Sequence, residues 1–293
     1  MAVDAHTVLA AIELGFFAIL LAPITWHTVS FIRDGQAGWY FLLVFVILKI
    51  AGAAMLIDIN NQSQPASIGI QVTAQIFYNI ALGPLLAATL SFVNNSVSKE
   101  EARATEVPRI GDVVRRRPKV GAPKSLASRL RFAHLLILVG LILGIVGGVY
   151  LAPKSNGQID PSNRDTGVAL LKVSPFLFLA AILAIAGGLV VLWDKRPALR
   201  KIVRANMTAA ACALPLATIR LIYSFLSAFN LDTTTSMGHP TTFNSFTGSW
   251  VAYLFLVLIP QVVIVGIYAL GGILGRQGKN HTRVEANEPG YSL

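Results

Sequence analysis

Charge is scarce in this chain. Only 13% of its 293 residues are Asp, Glu, Lys or Arg, where a soluble domain carries about 25%. With 54% hydrophobic residues and a mean hydropathy of +0.63, the chain cannot cover a water-exposed surface, which excludes an ordinary soluble fold. Cysteine is nearly absent too. Cys212 stands alone, so there is no intrachain disulfide and no cysteine-based metal site; within its apolar run it reads as a small buried hydrophobe. No cation precedes the first apolar run, which reaches about Ile32, and a cleaved signal peptide is too short and differently flanked to match it. The first span is therefore expected to remain in the mature protein. Also missing are a glycine-rich phosphate loop, a His-Glu cluster with zinc-ligand spacing, and an Asp-rich pair of the kind that holds magnesium against a prenyl diphosphate. No metal and no cofactor is expected. The third span lacks a terminal Asp-Arg-Tyr and the seventh lacks a lysine for a retinal Schiff base, which argues against a rhodopsin-like receptor.

What is present is a series of long apolar runs. Crossing the hydrocarbon takes about 20 mostly apolar residues, and seven stretches meet that length: Val8 to Phe31, Trp39 to Asp58, Ala66 to Val93, Phe132 to Leu151, Val168 to Trp193, Asn206 to Phe229 and Trp250 to Leu274. The expected fold is an all-α membrane protein, a seven-transmembrane-helix bundle over residues 1–274, followed by a polar, disordered cytoplasmic tail over 275–293. Trp39, Tyr40, Tyr150, Trp193 and Trp250 fall near span ends, as interface anchors do. Pro84, Pro175, Pro215 and Pro260 lie inside spans, where kinks are expected rather than breaks.

Basic residues give the orientation. The connection 94–131 holds ten of them, including Arg115, Arg116, Arg117, Lys119 and Lys124, and residues 194–204 hold five more. With Arg33, Arg276, Lys279 and Arg283, nineteen collect on one side, against Lys154 and Arg164 on the other. The positive-inside rule then puts the N-terminus outside, or in a lumen, and the C-terminus in the cytoplasm. The net charge of +10 is thus topological rather than a nucleic-acid footprint, and the proline-punctuated basic loop is expected to be a flexible cytoplasmic connector drawn to anionic lipid headgroups. The Asn61-Gln62-Ser63 sequon lies in a loop too short to favour glycosylation. Gly147-Gly148, Gly187-Gly188 and Gly271-Gly272 read as sites of close helix packing. His27 and His134 read as packing or interface residues.

Ionisable groups within apolar spans are costly enough to mark functional sites. Here they are Glu13, Lys49, Asp58, Lys172 and Arg220, accompanied by Gln71, Gln75, Asn79, Tyr223 and Gln261. Asp58 and Lys172 are close enough to span ends to snorkel. At about 1.5 Å per residue, Lys49 and Arg220 lie roughly 13 Å deep and Glu13 roughly 7 Å deep, so two cations share a layer without an acid. Gln71, Gln75 and Asn79 recur every four residues along one helix face, and Arg220 shares a face with Tyr223, Ser224 and Ser227. Lys49, Gln75, Asn79, Arg220, Tyr223 and Gln261 are therefore candidate ligand-binding residues of one outward chamber suited to an anionic amphiphile. The alternative is structural: Glu13 neutralises one cation, carbonyls near the proline kinks take the other, and the amides join helices.

The runs Arg220 to Phe229, Asn79 to Leu86 and Pro260 to Tyr268 resemble segments of a fungal family of uncharacterised seven-span integral membrane proteins. The likeness extends over most of the helical region and is specific in these three patches. It implies topology and source more than chemistry. Members often carry an acid where Gln261 stands, which weakens an acid-base role at that position. Three functions follow in order of preference. The first is binding or transport of a lipophilic or anionic amphiphilic molecule, with Lys49 and Arg220 on its head. The second is a membrane enzyme such as an epoxide-opening terpene cyclase, with Glu13 as acid and Asp58 as substitute. The third is a receptor-like sensor. Membrane lipids and an amphiphilic small molecule are the expected partners, and nucleic acid is not.

Overall fold

The computed structural model describes residues 5–31, 35–61, 68–106, 126–152, 161–193, 201–230, 243 and 248–287. Among these residues the structure is helical, without a strand: α1 Ala5–Phe31, α2 Gly38–Asn61, α3 Ile68–Ile80, α4 Leu82–Glu106, α5 Leu126–Tyr150, α6 Pro161–Trp193, α7 Lys201–Phe229, α8 Trp250–Tyr253 and α9 Ile259–Asn287. Seven helical stretches among them are long and apolar enough to cross a membrane: Ala5–Phe31, Gly38–Asn61, Gly69–Val97, Leu130–Tyr150, Ser162–Trp193, Arg204–Phe229 and Trp250–Leu274. Each overlaps one of the seven expected spans, the third starting at Gly69 rather than Ala66 and the fourth ending at Tyr150 rather than Leu151. Large apolar side chains face outward, with Ile19 and Val190 each 73% exposed, while Phe17, Ile24, Leu42 and Phe45 fill the interior. A helix apolar on every side has this character when its outer face meets lipid rather than water.

Two proline sites interrupt helices in different ways. The third apolar stretch has a single turn residue, Ala81, between α3 and α4, three residues before Pro84, where a kink is expected. Pro84 then sits in the first turn of α4, where its missing N–H leaves nothing unsatisfied. In the seventh span the five residues Leu254–Leu258 form a π-helical turn between α8 and α9. The N–H of Ile259 reaches back to the carbonyl of Leu254, and this wider turn accommodates the ring of Pro260 against the preceding carbonyls. Pro23, Pro175 and Pro215 remain within continuous helices.

Helices pair by chain neighbourhood for α1 with α2 and α5 with α6, and across the chain for α7 with α9, α2 with α4 and α4 with α7. Close approach needs glycine at specific points. A Cβ on Gly147 would meet the Gly167 carbonyl at 3.0 Å, and one on Gly167 would meet the Gly147 carbonyl at 3.1 Å, so α5 and α6 touch there backbone to backbone. A Cβ on Gly272 would lie 2.6 Å from the Trp39 ring. By contrast nothing lies within 4 Å of a Cβ on Gly187, so that glycine is not a packing site.

Several expectations change. Trp39 is fully buried rather than an interface anchor: its ring lies among His27, Phe31 and Phe92 and its indole N–H donates to Gln36 Oε1 at 3.2 Å. His27 is a packing residue of that cluster. Cys212 is exposed on α7, not buried, because the inward face of α7 is taken by Ala209, Ala210, Ala213 and Ala217. The basic connector is helical at both ends, through α4 to Glu106 and from Leu126 in α5, and α9 carries helix into the expected tail as far as Asn287. The arginine cluster 115–117, Lys119, Lys124 and Gln62-Ser63 of the sequon lie outside the described residues.

Candidate functional site

Two polar assemblies lie inside the apolar core, joined through Tyr78. The first is built on α1, α2 and α8. Glu13 and Lys49 are 0% and 1% exposed and form an ion pair. Tyr253 completes it: Lys49 Nζ donates to the Tyr253 hydroxyl at 3.1 Å, and that hydroxyl donates to Glu13 Oε2 at 2.9 Å. Lys49 Nζ also sits 4.5 Å from the centre of the Tyr78 ring and 5.7 Å from that of Tyr253, so aromatic faces supply further stabilisation for the cation. Glu13 thus lies level with Lys49. Helix α1 starts at Ala5 rather than Val8, so Glu13 is about 4.5 Å further along its helix than expected, at 1.5 Å per residue.

The second assembly centres on Arg220 in α7, which is 2% exposed. Its Nη1 donates to Ser224 Oγ at 2.7 Å, and its Nη2 donates to the Tyr78 carbonyl at 3.4 Å, two residues before the end of α3. Its guanidinium lies 5.4 Å from the centre of the Tyr223 ring, and its Nε is buried without a hydrogen-bond partner. No carboxylate of the described residues pairs with it. Arg220 lines a cavity of about 80 Å³ enclosed by α3, α5, α6 and α7. Gln75, Ser174, Tyr223, Ser224 and Ser227 give it a polar side, and Leu141, Leu171 and Phe178 an apolar one. Gln75 is exposed, so the cavity reaches the surface along α3. Ser174 holds α6 to α5 by donating to the Gly140 carbonyl at 2.7 Å.

The structure therefore brings Gln75, Arg220 and Tyr223 together in one cavity, and leaves Lys49 in the neighbouring ion pair instead of in a shared chamber. Gln261 is fully buried in α9 and makes no hydrogen bond through either amide atom among the described residues, but it is not part of the cavity lining. The side chain of Asn79 lies outside the described residues. Asp58 is exposed near the end of α2, away from both assemblies, and Glu13 does not line the cavity. Among the described residues no three His, Cys, Asp or Glu side chains cluster as metal ligands do.

Tyr78 and Tyr253 are the functional candidates that sequence reading missed. Tyr78 lies three residues after Gln75 and so shares its helical face, a signal that was available. Tyr253 was not recoverable in that way. Eight residues separate it from Gln261, which in a regular α-helix leaves the two about 80° apart. The extra residue of the π turn removes about 100° and brings both onto the inward face.

A family model described as Domain of unknown function (DUF7702) matches residues 3–277. The chain belongs to this family. The match contains all seven apolar helices, the ion pair and the cavity, so the whole arrangement lies within the DUF7702 domain. Comparison with curated proteins and with solved structures finds no match.

Proposed function

We propose that this DUF7702 protein is a transmembrane seven-helix bundle, N-terminus outside and C-terminus in the cytoplasm, that binds or transports an amphiphilic small molecule whose anionic head rests on Arg220. The supporting observation is charge. Glu13 and Lys49 cancel each other, whereas Arg220 is buried beside a cavity with no anionic partner among the described residues. An uncompensated cation in an apolar interior costs several kcal/mol. An anion in the cavity offsets that cost and finds hydroxyl and amide donors already in place. The enzyme reading has no comparable support, since Glu13 has both oxygens engaged away from the cavity.

The test is thermal unfolding of the purified protein in a non-ionic detergent with dodecanoate, dodecyl phosphate or dodecyltrimethylammonium added. The two anions should raise the midpoint of the wild-type protein and the cation should not. Arg220→Gln should abolish the response, and Arg220→Lys should weaken it because the planar five-donor fork is lost. Equal responses to cation and anions, or an unchanged response in Arg220→Gln, would overturn the proposal.

A further inference from the structure

The geometry of the Arg220 cavity points to a narrower ligand class. We infer that it takes the carboxylate of a single-chain amphiphile, which enters sideways past Gln75 and leaves its tail in the lipid; the inference rests on the anionic-amphiphile reading above.

Charge sets the first limit. The ion pair is neutral and Arg220 contributes one positive charge, so a monoanion balances the interior and a dianion overshoots it. The donors set the second. A guanidinium has five N–H groups, and the bonds to Ser224 and Tyr78 use one hydrogen on each terminal nitrogen. Nε–H remains unpartnered, together with the remaining hydrogens of the terminal nitrogens. Adjacent N–H groups in one plane match the two oxygens of a carboxylate. Size sets the third. A water needs about 10–15 Å³ on the same scale, so a cavity of about 80 Å³ admits a carboxylate and a few methylenes. A diester headgroup carries a second arm that would also have to be placed against Leu141, Leu171 and Phe178.

The mouth agrees with this ligand. Gln75 is exposed seven residues into α3, about 10 Å from the start of the helix, a level at which hydrocarbon surrounds a spanning helix. An amide there hydrogen-bonds a passing headgroup, while the chain behind it stays in apolar surroundings. Gly144 of α5 also lines the cavity. A Cβ at that position meets only Ser174 Oγ, at 3.4 Å, which is ordinary contact, so the backbone has room for a side chain there, and the added bulk of Gly144→Val is expected to reduce the space of the cavity that Gly144 lines. This narrows the site without replacing Arg220.

The experiment is equilibrium binding of radiolabelled dodecanoate to the full chain in nanodiscs of zwitterionic lipid, with empty nanodiscs subtracted. Dodecanol and methyl dodecyl phosphate, a monoanionic diester, serve as competitors, and unliganded thermal midpoints are recorded for each variant. Saturable binding is expected, with dodecanoate at least about tenfold stronger than either competitor, since hydrogen bonds to charged groups contribute on that scale. Gly144→Val should weaken it by about tenfold or more with an unchanged unliganded midpoint, and Arg220→Gln should remove it. If the diester competes as well as dodecanoate, and both depend on Arg220, the carboxylate assignment is overturned while the broader anionic reading stands. If no probe binds saturably, or if binding is indifferent to both Arg220 and Gly144, both readings fall.

Discussion

At the scale of single residues, the pairing of Glu13 with Lys49 determines which substitutions are informative. Removing one member of a buried pair strands the other charge in an apolar medium and typically costs about 3–5 kcal/mol, whereas removing both leaves no orphan. Glu13→Gln and Lys49→Met should each lower the thermal midpoint in detergent steeply, and the double variant should recover a large part of either loss. Purely additive losses would contradict the pair. The same geometry makes a negative statement about Arg220. Because Glu13 is engaged with Lys49 and Tyr253, adding Glu13→Gln to Arg220→Gln should bring no recovery. Sequence depth alone separated Glu13 from the cations by about 6 Å, and starting α1 three residues too late accounts for about 4.5 Å of that.

At the scale of helices, glycine separates packing from mere tolerance. Gly272→Ala drives a methyl to within 2.6 Å of the buried Trp39 ring, which is itself fixed between His27 and Phe92, so a loss of about 1–3 kcal/mol is expected from overpacking. Gly187→Ala meets nothing within 4 Å and should be neutral or stabilising by about 0.5–1 kcal/mol, since alanine is the better helix former. Midpoints of the two variants that move together would refute the distinction. Neither outcome can be read from the Gly-Gly pairs themselves, because the two members of a pair point about 100° apart and meet different surroundings: Gly188 faces Leu130 while Gly187 meets nothing within 4 Å. The same limit explains what was legible in the helices. Apolar length located all seven helices that are long and apolar enough to cross a membrane, and four-residue spacing put Arg220 on one face with Ser224, to which it donates, and suggested Gln75 as polar lining. The interruption at Ala81 and the π turn before Pro260 were hidden, because proline announces a disturbance without saying whether the chain bends, breaks or widens. Those two disturbances position Tyr78 and Tyr253, which is why the link between the ion pair and the cavity was invisible in the sequence.

At the scale of the whole molecule, the asymmetry of basic residues argues for one orientation, and the helix boundaries decide where it is best tested. Asn95 and Gly278 lie inside α4 and α9, so an insertion at either would disrupt a helix instead of reporting on a loop. Single cysteines in the connections avoid this, and Cys212, the one native thiol, is removed beforehand as Cys212→Ala. Gly121→Cys lies in the connection that holds ten Lys and Arg residues, while Gly157→Cys and Thr235→Cys lie in connections with two and none. A membrane-impermeant maleimide applied to sealed vesicles should label Gly121→Cys on one side and both Gly157→Cys and Thr235→Cys on the other, because cytoplasmic loops retain the cations. Vesicles of known sidedness then assign the basic side to the cytoplasm. Labelling of Gly121→Cys together with Gly157→Cys requires an even number of crossings between residues 121 and 157, where the structure has one apolar helix, Leu130–Tyr150, and would dismantle the seven-span topology on which the Arg220 site depends.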